Sequence, residues 1–73
     1  MNLYVIFDKI AKESGPIFEA KNDGVALRNY RSLLEKEKIN QNEYSLHLLG
    51  RYEHSTMSVF IHDQVEVINE SAV

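Results

Sequence analysis

The sequence predicts an α+β domain of order β-β-α-β-β, with one helix packed on one face of a mostly antiparallel four-stranded sheet. Three observations carry this. The segments before residue 20 and after residue 44 are rich in β-branched and aromatic residues. Between them, Ala26, Leu27, Tyr30, Leu33 and Leu34 recur at three- and four-residue spacing, which makes one apolar helical stripe. Seventy-three residues hold one core only, so helix and strands must share it.

Leu3 to Asp8 is the first strand, apolar on both sides of the pleat: Leu3, Val5 and Phe7 take one face, Tyr4 and Ile6 the other. Lys9 to Ser14 is a connection in which Ile10-Ala11 forms a brief helical turn, and Gly15-Pro16 ends it. Ile17 to Ala20 is the second strand, antiparallel to the first. The helix spans about 23–38, capped by Asn22 or Asp23, with Lys36 and Lys38 at the negative end of its dipole. Asn40 is its left-handed stop. Tyr44–Glu53 and Thr56–His62 are the last two strands, joined by a two-residue turn at His54-Ser55.

That turn sets paired positions to sum to 109. Tyr52/Met57, Gly50/Val59 and Leu48/Ile61 then meet on one face, and Arg51/Ser58, Leu49/Phe60 and His47/His62 on the other. Asp63–Ile68 alternates weakly and makes a short fifth edge strand, so the domain is residues 1–68, followed by a frayed acidic tail over 69–73. Leu3, Val5, Phe7, Leu48, Val59 and Ile61 are expected beneath the helix. Tyr4, Ile6, Leu49 and Phe60 are left on the uncovered face.

Bulk composition narrows the function classes. A chain this short buries only about 60–65% of its unfolded surface, and it has no cysteine for disulfides or thiolate zinc sites. Oligomerisation is the remaining support, so a homodimer through Tyr4, Ile6, Leu49 and Phe60 is expected. The first residues form a strand and lack the basic and apolar regions of a signal peptide; no apolar run is long enough to span a membrane. Net charge is -3, unevenly placed: residues 1–51 carry 8 basic and 7 acidic groups, and residues 52–73 carry four acidic groups and no basic one. No global positive field draws the protein to nucleic acid.

Local chemistry points away from catalysis. His47, His54 and His62 lie seven and eight residues apart, which matches no helical metal motif. The 109 register sets His47 opposite His62 without a third ligand, so no metal and no cofactor are expected. Nucleophile and phosphate-loop motifs are absent, and the chain is read as non-enzymatic. Lys21, Arg28, Arg31 and Arg51 are the candidate phosphate contacts, diluted on the helix by Glu35 and Glu37. Aromatic and arginine groups on an open sheet face can stack single-stranded bases.

Three blocks also carry a resemblance: Glu13-Ser-Gly-Pro-Ile-Phe-Glu-Ala-Lys-Asn-Asp-Gly-Val-Ala-Leu-Arg28, the opening Met1-Asn-Leu-Tyr-Val-Ile-Phe-Asp8, and Tyr44-Ser-Leu-His-Leu-Leu-Gly-Arg-Tyr-Glu53. Over about residues 1–60 the chain resembles the small non-structural protein of gokushoviruses, single-stranded DNA phages of the microvirus group. The resemblance implies a protein of the host bacterial cytoplasm, outside the virion, that regulates viral single-stranded DNA synthesis or packaging. Its partners would be single-stranded DNA or phage replication and packaging proteins. It implies no residue-level site. The alternative is a protein–protein interaction adaptor for a host or viral partner, with no DNA binding.

Overall fold

A computed structural model describes residues 1–37 and 41–68. Strands β1 (Asn2–Asp8), β2 (Glu13–Ser14) and β3 (Phe18–Ala20) precede the helix α1 (Asp23–Glu37). A single 3-10 turn (Gln41–Glu43) leads into β4 (Tyr44–Glu53) and β5 (Ser58–Ile68). The fold is α+β, one helix on a five-stranded antiparallel sheet ordered β2-β1-β4-β5, with β3 also on the outer edge of β1. The expected stop at Asn40 and the tail over 69–73 lie outside the described residues.

The first hairpin is more finely divided than expected. Asp8 Oδ1 accepts from the N–H groups of Ile10 and Ala11 at 2.9 and 3.0 Å, and Lys12 N–H donates to the Asp8 carbonyl at 2.8 Å. This Asx-type turn lets β2 return against β1 at once, pairing Asp8 with Glu13. Pro16 has no N–H to donate, so the edge breaks there and resumes as β3, with Leu3 opposite Glu19.

Asn22 is the helix cap: its side-chain oxygen accepts from Val25 N–H at 2.9 Å. Asp23 does something else. Its Oδ1 accepts a 2.6 Å hydrogen bond from the Tyr4 hydroxyl, which also accepts from Asn2 Nδ2 at 3.1 Å. That network ties the start of α1 to β1 and decides which face of β1 looks at the helix.

Tyr4 is fully buried and packs with Ala20, Leu27, Tyr30, Leu34, Leu46, Leu48 and Ile68. Leu48 is therefore beneath the helix as expected, but Leu3, Val5 and Phe7 are not: alternation sends them to the opposite face. Val59 and Ile61 are 55% and 64% exposed and outside the core as well. The inversion has a physical cause, since a tyrosine buried in a small core must keep a partner for its hydroxyl, and the helix N-terminus supplies one.

The last hairpin also differs. Four residues, His54 to Met57, make the turn, and Met57 adopts a left-handed backbone with φ 55°. Gly50 pairs with Ile61, Arg51 with Phe60 and Tyr52 with Val59, so the sum is 111, not 109. Leu49 pairs with neither neighbouring strand; it is a bulge residue facing a four-residue excursion of β5 between Ile61 and Glu66. The bulge switches parity. Leu46 and Leu48 face the helix, whereas Gly50 is opposite Leu3 and so faces away. A further consequence is that His47 pairs with Val67, and His62 has no cross-strand partner; the expected His47/His62 pairing does not form.

Candidate functional site

The residues sort into three surfaces. The first is the uncovered sheet face and its outer strand. Helix α1 reaches Ile68 at the end of β5, but Val59, Phe60, Ile61, Val65 and Val67 are all exposed. By register, Val59, Ile61 and Val67 share a face with Tyr52, Gly50 and His47 respectively. His47 belongs to the face of Val5, and its ring meets Phe7 edge-on at 5.9 Å. That face is thus apolar: Val59, Ile61 and Val67 of β5 are exposed on it, beside half-buried Leu3 and Phe7 and buried Val5, whereas Phe60, paired with Arg51, belongs to the other face.

This corrects the expected interface. Tyr4 is buried in the core, Ile6 packs against that core on the helix side, and Leu49 is half-buried in a bulge. Of the four expected interface residues, only Phe60 is an exposed side chain.

The second surface is the end of the sheet beside the helix N-terminus. The Arg51 guanidinium carbon lies 4.6 Å from the centre of the Phe60 ring, a cation–π contact between two exposed side chains. Asn2 pairs with Arg51 on one side and with Ala20 on the other, so Lys21 and Arg51 flank the same end of β1. The N-terminal ammonium is there too, donating to the Tyr52 carbonyl at 2.8 Å. Arg28 and Arg31 are exposed, one turn apart on the outer side of α1. Opposing charge is also near: Glu19 Oε2 sits 2.6 Å from His54 Nε2.

The third surface was not anticipated from sequence. A cleft of about 460 Å³ opens between α1 and the break separating β2 from β3. Its apolar walls are Ile6, Pro16, Phe18, Leu33 and Tyr44, and Asp8 and Glu13 stand at its edge. Glu13, Asp8 and Tyr44 form one row across the sheet. Burial, then the negative charges of Asp8 and Glu43, push the Tyr44 hydroxyl pKa up. No pattern in the sequence marks this cleft, because it depends on where the edge strand breaks.

Among the described residues no group of three or more His, Asp or Glu side chains is placed to hold a metal, and no helix is long and apolar enough to cross a membrane. No curated protein and no solved structure matches the chain. A family model does match, over residues 1–73, and its description is Phage ORF5 protein; the chain belongs to that phage protein family.

Proposed function

We propose that the protein is a non-enzymatic regulator of viral single-stranded DNA synthesis or packaging, acting through protein contacts and weak DNA contact. On this reading it resembles the gokushovirus non-structural protein in role as well as in sequence, and works in the host bacterial cytoplasm outside the virion, as a homodimer. Membership of a phage family supports the setting. The observation that carries the DNA part is the Arg51–Phe60 stack, exposed, with Lys21 beside the same strand end. A flat aromatic ring with a guanidinium on it offers a base a stacking surface and a phosphate a charge. The exposed apolar side chains of Val59, Ile61 and Val67 on one face of the sheet support the protein part, since clustered exposed apolar surface marks interaction sites.

The adaptor reading, without DNA, is favoured by the net charge of -3. One titration separates the two. Labelled single-stranded DNA is followed by anisotropy at low salt and then as salt rises. DNA contact gives binding at roughly tens of micromolar protein, with a log–log salt slope of about -0.7 per phosphate neutralised. Arg51→Ala and Phe60→Ala each weaken it. No binding at that concentration and low salt removes the DNA part and leaves the adaptor.

A further inference from the structure

We propose that the cleft beside Leu33 receives the β1–β2 turn of a second copy of this chain, each copy seating its turn in the other. The inference builds on the homodimer of the proposed function and gives it a different contact from the one expected from sequence.

The turn is Lys9-Ile10-Ala11-Lys12, and Ile10 is 73% exposed at its tip. The turn that carries it is stiff. Asp8 Oδ1 holds the N–H groups of Ile10 and Ala11, and Lys9 N–H donates to the Glu43 carbonyl at 2.8 Å. Little ordering is therefore required when it docks. The turn presents an apolar side chain between two lysines. The cleft presents an apolar floor of Ile6, Phe18 and Leu33 beside two carboxylates, Asp8 and Glu13. Polarity and charge are complementary.

Position explains why the occupant is a copy of the same chain. Residues 9–12 lie between Asp8 and Glu13, which stand at the edge of the cleft, so turn and cleft are contiguous. A two-fold axis beside them brings turn to cleft and cleft to turn in one closed contact, the arrangement of an isologous dimer. The acidic segment after Arg51 does not fit the same place, because it would bring Asp63 or Glu66 against Asp8 and Glu13.

The test is sedimentation velocity on the full chain and three variants, each checked for its fold by circular dichroism. The wild type is expected to be dimeric at high micromolar concentration. Ile10→Ser raises the dimer dissociation constant by at least about tenfold. The double variant Lys9→Glu/Lys12→Glu and the single variant Glu13→Lys are each monomeric alone. Mixed, they recover a dimer, because the lysine turn of the Glu13→Lys chain meets the unaltered Asp8 and Glu13 of its partner, while the glutamate turn meets the new lysine at position 13 and no longer two carboxylates. A wild type monomeric at high micromolar concentration overturns the proposal. So does a dimer unaffected by Ile10→Ser, which places the contact elsewhere, or a charge-reversed mixture that stays monomeric. None of these outcomes touches the DNA titration, which stands or fails by itself.

Discussion

The Tyr4 hydroxyl donates a 2.6 Å hydrogen bond to Asp23 Oδ1, joining the middle of the sheet to the first turn of the helix. Tyr4→Phe keeps the ring and its packing and removes that bond. A hydrogen bond to a charged acceptor contributes about 1.5–3 kcal/mol, and part of it returns as Asp23 is hydrated, so we expect a loss of about 1–2 kcal/mol in urea unfolding. Far-UV circular dichroism of the folded protein should not change.

The same bond sets an alkaline limit. Burial first, and the bond to Asp23 second, raise the Tyr4 pKa from 10.0 to about 12. Above pH 10 the unfolded chain releases this proton while the folded chain keeps it, so stability falls as pH rises through that window and levels off near 12. Urea midpoints measured from pH 9 to 12 should decline for the wild type, and Tyr4→Phe should flatten the decline. An unchanged slope in the variant would assign the alkaline loss to other groups.

His47 sets the acid side. Burial, and then the positive charge of Lys9, lower its pKa below the ordinary 6.5. As pH falls through 6.5, the unfolded chain takes up the proton before the folded chain does. Stability is therefore lost on acidification until the folded pKa is passed. His47→Gln keeps a polar group near Ser45 Oγ, which lies 2.7 Å from His47 Nε2. It should remove the part of the slope below pH 6.5 that this group supplies.

Legibility in the sequence followed how much each pattern was constrained. The helix was readable because its apolar stripe has only one solution, and β4 was readable to the residue. The face of β1 was not, because both alternating sets are apolar and the deciding contact, Tyr4 to Asp23, spans nineteen residues. The hairpin register was hidden for a different reason. A change from a two- to a four-residue turn slides the strands by two, which keeps every side chain on its face. Alternation cannot detect such a slide, and the bulge at Leu49 then reverses the faces beyond it. Arg51 and Phe60 were readable as sharing a face, though not as direct partners.

Met57 closes the hairpin with φ 55° and is 79% exposed, so its side chain contributes little packing. A left-handed backbone costs a non-glycine residue roughly 1–2 kcal/mol, and glycine's added freedom in the unfolded chain offsets about 0.4–1 of it. Met57→Gly should therefore gain roughly 0.5 kcal/mol, or about 2–4 °C in Tm for a domain of this size. A melting temperature below the wild type would mean that the side chain packs in solution.

Gly50 is where the sheet tolerates least. It lies opposite Leu3 on one side and Ile61 on the other, next to the Leu49 bulge. A methyl group added there would collide with the Phe60 carbonyl oxygen and come within 3.0 Å of the Ile61 Cα. Both obstacles are backbone, so no side-chain rotation relieves them, and β5 would have to move away from β4. Overpacking of this kind costs about 1–3 kcal/mol, against a total of roughly 3–5 kcal/mol for a core this small. Gly50→Ala should thus lower Tm steeply and loosen the pairing that sets Phe60 beside Arg51. Gly15→Ala is the matched control, because the nearest atom to its added methyl is the Ile6 carbonyl oxygen at 3.9 Å, an ordinary contact. Thermal melts followed at 218 nm should show a large drop for the first variant and almost none for the second. Equal melts would mean that β5 does not lie against Gly50 in solution.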